Sequence, residues 1–355
     1  MSAVSLPTDV ASPPALALRP RSIADLFDET IRLYRRHWGA MVAIAAVVQV
    51  PWTIASTGGL ALLLPGTPRG EIGLWTVSLL PQFHLLLVRP LMLAAIGVYL
   101  AELAQGGRIG PWACYGRVLR RIVPLGAATV FVVAVIAILI AALLPGLTFP
   151  LIFLDTSRSD LAIVAYLIWA VGLMGLVFGL AIFCYTRWLL APLAIAVERA
   201  GLRRAFRHSW DLTRRRLGYV IVVWILLEAL RLLLAAIPAL VVETVLTALL
   251  GSFWESAWLE WLPSLVRLPL DVFIFPIPLV GLALLYLDLR ARFEGLDLVL
   301  AARSPSPMEA PQPAGHLLRG ADLRQVGAVV LVILLIAGAG CGSLYVLAAI
   351  ISGLD

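Results

Sequence analysis

The sequence predicts an all-α polytopic membrane helix bundle: a six-helix core built from three repeats, each a basic amphipathic interfacial helix followed by two spanning helices, with a seventh span at the carboxyl end. Three observations predict it. Hydrophobic residues fill 61% of the 355 positions and charged residues only 14%, with a mean hydropathy of +0.98, which is more apolar side chain than one globular core hides from water. Several apolar runs reach the roughly 20 residues that a helix rising 1.5 Å per residue needs to cross a hydrocarbon layer about 30 Å thick. An arginine pair also stands directly before the first, third and fifth of these runs.

Residues 1–20, rich in Ser, Pro and Ala, hold no apolar core of signal-peptide length and read as a disordered cytoplasmic tail. The six-span domain covers 21–302, with repeats at about 21–107, 108–198 and 199–302. Spans are expected at Met41–Leu64, Leu74–Leu103, Val123–Leu144, Leu161–Val197, Tyr219–Val242 and Leu265–Leu289. The second and fourth are too long for a straight crossing and contain Pro81, Pro90 and Pro192, so tilt or a kink is expected there. A Pro-rich cytoplasmic linker, 303–325, leads to a last transmembrane helix at 326–351. Trp254, Trp258 and Trp261 stand among acids between spans five and six, as in an aromatic belt or a platform for carbohydrate or peptide.

Orientation follows from arginine, because basic residues near span ends resist translocation. All 27 basic residues are arginine, and the net charge is +6. The tail and the second, fourth and sixth connections carry 5, 4, 7 and 5 of them, whereas the opposite connections carry Arg69 and Arg158. The amino terminus is therefore placed inside and the carboxyl terminus outside.

The repeats are read from "RLYRRHWG", "RVLRRIVP" and "DLTRRRLG", which bring Arg35 and Arg36, Arg120 and Arg121, and Arg214 and Arg215 into register at separations of 85 and 94 positions. On an ideal helix, Leu202, Ala205, Phe206, Trp210, Leu212 and Leu217 occupy an arc of about 160° with most charges opposite. Ile23, Leu26, Phe27, Ile31, Leu33 and Trp38 fall at the same offsets. Ser22 is the expected N-cap of the first copy, and Pro111 the first helical residue of the shorter middle copy. Such helices are expected to lie in the inner interface with their apolar faces in the acyl boundary, Arg35, Arg36, Arg120, Arg121, Arg207, Arg214 and Arg215 meeting anionic lipid.

The stretches "IADLFDETIRLYRRHWGAMVAIA", "RWLLAPLAIAVERAGLRRAFRHSWDLTRRRLGYVIV" and "LLYLDLRARFEGLDLVLA" resemble the signature regions of a bacterial family of multi-pass proteins named for the membrane domain of glycerophosphoryl diester phosphodiesterase. The resemblance covers about residues 20–302. It implies a six-helix integral membrane module of bacterial origin, often found without an attached enzyme; the family label describes an association in some members.

The residues themselves argue against catalysis. Metal-assisted hydrolysis needs clustered carboxylates and usually histidine, and His37, His84, His208 and His316 are far apart; His37, His208 and His316 lie in arginine-bearing segments and read as a solvated face. Cys114, Cys184 and Cys341 form no disulfide framework or metal spacing. There is no soluble stretch of the roughly 250 residues typical of a phosphodiesterase barrel. No cofactor, metal or nucleic acid is expected.

Intramembrane charges are the stronger candidates, since each is costly unless paired or hydrated. Glu228 with Arg231, and Arg267 with Asp271, can each self-neutralise on one helical face. Arg89, Arg187 and His84 have no partner at such spacing. Glu102, Glu198 and Asp288 each lie near the inner end of an even span and are expected to pair with inner arginines, fixing how the span meets its amphipathic helix.

Two functions follow from this reading. One is a non-enzymatic scaffold or accessory subunit in the bacterial inner membrane whose basic face contacts anionic lipid or a membrane or cytoplasmic partner protein. The other is a transporter of a small or lipid-like solute, with Arg89, Arg187, Glu228 and Arg231 along a midplane path and helices broken at Pro90, Pro192, Pro276 and Pro278. A membrane-embedded part in glycerophosphodiester metabolism is a third.

Overall fold

The computed structural model describes residues 21–55, 84, 88–157, 160–250 and 262–295. Among these the chain is helical, with no strand. Helix α1 (Ile23–Arg36) begins where the Ser22 hydroxyl accepts the Asp25 amide and the Asp25 carboxylate accepts the Ser22 amide, each at 3.2 Å, a reciprocal cap for two otherwise orphaned donors. The chain then bends by 84° at His37 into α2 (Trp38–Ile54).

Helix α3 (Arg89–Ala104) carries Pro90 in its first turn, where the missing N–H is not needed, and Gly106 just beyond its end turns through φ +75°, a region that favours glycine. Helix α4 (Pro111–Leu119) starts at the expected proline. Helices α5 (Ile122–Ser157) and α6 (Asp160–Trp188) form a long hairpin. Beyond the expected span end at Leu144, α5 continues as helix through Pro145 and Pro150. Pro150 cannot donate to the carbonyl of Gly146 four residues back, and the Trp169 indole donates to that carbonyl instead, at 3.0 Å.

The fourth apolar run breaks at Leu189–Leu190 before α7 (Ala191–Val197), with Pro192 in its first turn. Helix α8 (Leu202–Arg214) leads to α9 (Leu217–Arg231), a π-helical turn at Leu232–Ala236 and α10 (Ile237–Leu250). Pro238 removes the donor that would bond Leu234, and the wider turn absorbs the gap. Helix α11 (Leu262–Ile274) meets α12 (Pro276–Glu294) at Phe275, and Gly295, at φ +64°, ends it.

Four stretches are long and apolar enough to cross a membrane, Ile122–Leu143, Val164–Val197, Leu217–Val242 and Leu268–Glu294, and the bent pair α1 and α2 passes the same test together. These match expected spans three to six. The expected first span is described to residue 55 and the second only at 84 and from 88. The tail, the linker, the seventh span and the belt tryptophans lie outside the described residues.

The buried core is built from α3, α7 and α12, with α9 against α12. Leucine side chains from neighbouring helices seat directly on two glycines. A Cβ at Gly97 would overlap Leu193 Cδ2, and one at Gly281 would stand 2.6 Å from Leu227 Cδ2, inside any van der Waals contact. The three amphipathic helices wrap this core, α1 on α12, α4 on α3 and α8 on α7.

Here the structure corrects the sequence expectation. Ile23, Leu26 and Leu33 of α1, Cys114, Tyr115 and Val118 of α4, and Ala205 and Leu212 of α8 are buried in protein, not given to an acyl boundary. α1 is tied down at both ends: the Arg21 amide ahead of it donates to Asp288 of α12 at 2.8 Å, and the Tyr34 hydroxyl donates to the carbonyl of Phe273 on α11. Only part of each apolar arc stays exposed, notably Ile31, Trp38, Trp112, Leu119 and Trp210. The reason is geometric: the core helices present apolar flanks of their own, and a stripe about 160° wide is broad enough to contact both them and a second environment.

Candidate functional site: acid joints and a charged cluster

Each expected helix-end acid meets the amphipathic helix packed on its own helix or the segment leading into it. Glu102, in the last turn of α3, pairs with Arg117 of α4. Asp288 of α12 is fully buried; it accepts the Arg21 amide ahead of α1 and the Arg292 guanidinium at 2.7 Å. Arg292 also donates to the Arg21 carbonyl at 2.6 Å, and the Tyr219 hydroxyl at 3.4 Å, so one acid gathers the starts of α1 and α9.

Glu198, at the end of α7, makes the richest joint. Its carboxylate lies 2.9 Å from His208 Nε2 of α8 and 3.5 Å from Arg290 Nε, and it accepts the Tyr286 hydroxyl of α12. His208 Nδ1 lies 3.4 Å from Glu294, which Arg290 also holds at 2.7 Å. His208 is thus wedged between two carboxylates. The hydrogen bond to Glu198 raises its pKa above 6.5 against the opposing effect of burial. Burial works to raise the Glu198 pKa, but hydrogen bonds from His208 and Tyr286 and the charge of Arg290 outweigh it and hold the group below 4.5. His208 is therefore not the solvated-face residue expected of an arginine-rich segment. His37 is not one either: its Nδ1 lies 3.1 Å from the Tyr99 hydroxyl, and its ring meets Tyr99 edge-on.

A second constellation joins several helices. Arg89 of α3 pairs with Glu228 of α9, and Arg231 one turn on holds the other oxygen of Glu228 at 2.9 Å. Asp271 of α11 is close enough to act electrostatically on Arg231, whose guanidinium lies 5.7 Å from the Phe275 ring centroid. Arg89, which has no partner at helical spacing, meets an acid 139 positions away on another helix. His84 stands beside this group, 3.0 Å from the buried Gln49 and edge-on to Phe275 at 5.2 Å. Of the expected Arg267–Asp271 pair, Arg267 lies on α11 but its side chain is outside what the structure describes.

Arg187 does not join that cluster. It lies under α8, 4.6 Å from the Trp210 ring and 5.0 Å from Phe183, with Thr213 Oγ1 at 3.5 Å, while its carbonyl accepts the Ser209 hydroxyl. The aromatic faces take the place of a counter-ion for a guanidinium that is 8% exposed. The four charges expected along one path are thus divided three and one.

Of the expected lipid-facing arginines, Arg35, Arg36, Arg120, Arg207, Arg214 and Arg215 are exposed and Arg121 is half-buried. Cys114, expected in a basic loop, is instead buried in α4, where burial pushes its thiol up to about 11, too high for a reactive thiolate. Among the described residues, no three His, Cys, Asp or Glu side chains gather as a metal site. Comparison with known proteins finds no matching family model, no matching curated protein and no matching solved structure.

Residues that carry these sites without announcing themselves in the sequence are Gln49, Tyr286 and Phe275. Each is an ordinary member of an apolar run, and only its partner on another helix gives it a role.

Proposed function

We propose that the chain is a non-enzymatic integral membrane module of the bacterial inner membrane, a scaffold or accessory subunit whose arginine-rich end faces the cytoplasm and contacts anionic lipid or a partner protein. One observation carries this reading: three acids, Glu102, Glu198 and Asp288, each tie an amphipathic element to the helix core, while Arg35, Arg36, Arg120, Arg214 and Arg215 of the arginine doublets stay exposed. Such charges near an anionic leaflet gain about 1 kcal/mol each. The same joints support a threefold internal repeat, since the acids recur at matching places on α3, α7 and α12. The motif resemblance supports kinship with the multi-pass family named above, without an enzyme attached.

Cysteine labelling tests the topology. In a chain freed of Cys114, Cys184 and Cys341, Arg35→Cys and Arg214→Cys are expected to react with a membrane-impermeant maleimide only after the cells are opened. Reaction at either position in intact cells would reverse the orientation and remove the proposed face.

A transporter is the second reading, favoured by the Arg89–Glu228–Arg231–Asp271 cluster, because ionisable groups among spanning helices commonly mark solute or proton routes. Its distinguishing expectation is that a cysteine at position 228 reacts with a small water-soluble reagent from one side of the membrane.

A further inference from the structure

Between the core and the α5–α6 hairpin lies an open-sided cavity of about 70 Å³, walled by α3, α5, α6, α7 and α8. Its lining is almost wholly apolar: Leu93 from α3, Ala128, Val132 and Ile136 from α5, and Trp188 and Phe206 at one end, with Arg89 at the other. The one α5 hydroxyl in this lining, Thr129, already donates to the carbonyl of Leu125 at 2.8 Å, so this wall presents no free donor to a polar ligand.

From Ala128 to Ile136 the groove runs about 12 Å along α5, most of the roughly 15 Å apolar depth of a single leaflet. Its lower end is framed by three aromatic rings, Phe131, Trp188 and Phe206, with centroids 5.2 to 5.7 Å apart, the kind of ring cluster that settles at the level of lipid glycerol and carbonyls. Two arginines precede lining residues along the chain. Arg121 is seven residues before Ala128 and Arg203 three before Phe206, spacings that put each on the flank of its segment that carries the lining residue. The site is thus an apolar slot with an aromatic collar and a cationic mouth.

We propose that this groove holds one acyl chain of an anionic phospholipid of the arginine-side leaflet, with the headgroup phosphate held by Arg121 and Arg203. The inference deepens the reading of a lipid-contacting basic face and rests on it, but it is narrower: one lipid held in a slot rather than a surface attracted to a charged sheet. A zwitterionic lipid offers the same chain without the net charge that two guanidiniums select, and an apolar protein helix offers no phosphate.

The test uses the full chain, purified in mild detergent, stripped of lipid, and incubated with mixed phosphatidylglycerol and phosphatidylcholine vesicles before native mass spectrometry. Wild type is expected to retain one phosphatidylglycerol in preference to phosphatidylcholine. Val132→Trp, which fills the slot, is expected to lower retention about tenfold, and Arg121→Gln with Arg203→Gln to abolish the headgroup preference while keeping a bound lipid. Undiminished retention by Val132→Trp, or equal binding of the two lipids by wild type, overturns the proposal. Should Val132→Trp fail to fold, phosphatidylglycerol brominated along its acyl chains is expected to quench the native protein's emission by a share that disappears in Trp188→Phe. An unchanged share overturns it equally. If these outcomes fail while the labelling at Arg35 and Arg214 behaves as expected, only the groove falls; if that labelling is reversed, both readings fall.

Discussion

Replacing Glu198 by Gln removes the charge at the most heavily connected joint. In the folded chain this carboxylate faces His208, Tyr286 and Arg290 from two other helices with its side chain only 16% exposed. A hydrogen bond to a charged group contributes about 1.5–3 kcal/mol net, and the amide keeps some of these contacts, so a loss of about 2–3 kcal/mol is expected from Glu198→Gln. The pH dependence gives a sharper check. His208 has its folded pKa raised above 6.5, so its contribution is fully present below 6.5 and is lost as pH rises through the folded value. Glu198 has its folded pKa held below 4.5, so its contribution is present above 4.5 and is lost as pH falls through the folded value. Together they give greatest support between about 4.5 and 6.5. His37 acts in the opposite sense, because burial first and Arg36 second lower its pKa, so its protonation at acid pH costs stability. Denaturant unfolding of the protein in detergent across this range, followed by tryptophan emission, is the assay. Wild type is expected to weaken above pH 6.5 and His208→Asn to lose that dependence. A His208→Asn protein with the same alkaline slope, or a Glu198→Gln loss under about 0.5 kcal/mol, would refute the reasoning.

Three further outcomes are expected. Glu228→Gln leaves Arg89 and Arg231 without their shared counter-ion and should cost about 3–5 kcal/mol, whereas Arg89→Met with Glu228→Met should cost much less than the sum of the single changes, as read by a double-mutant cycle in denaturant. Gly97→Ala places a methyl on the Leu193 side chain and should destabilise by about 1–3 kcal/mol; adding Leu193→Ala relieves the overlap at the cost of a cavity, so the two changes should be less than additive. Cys114, buried with its thiol pushed up to about 11, should resist maleimide at pH 8 in the native protein and react on unfolding, as counted by mass spectrometry.

Some of the site was legible from spacing alone. Glu228 and Arg231 are one turn apart, and Glu102 stands at a helix end with arginines following, so a pairing rule that looks three or four residues ahead, or across one short turn, finds them. Arg89 with Glu228 and Tyr286 with Glu198 are separated by 139 and 88 positions, and no local periodicity links them. His208 shows the opposite error: its neighbours in sequence are arginines, which read as a solvated surface, while its neighbours in space are two carboxylates.

Hydropathy and arginine placement determined by themselves that this chain is helical, apolar enough for a membrane, and basic at recurring intervals, because those properties are sums over residues adjacent along the chain. Helix starts at Ser22 and Pro111 were likewise local, set by a cap and by a missing amide, and Pro192 marked a kink in the fourth run. Tertiary structure decided where the amphipathic stripes go, onto α12, α3 and α7, and which arginine answers which acid. The physical reason is that an apolar stripe or an ion specifies the kind of partner it needs, whereas the identity of that partner depends on which helices pack within a few ångströms, and here the close approach at Gly97 and Gly281 sets that arrangement.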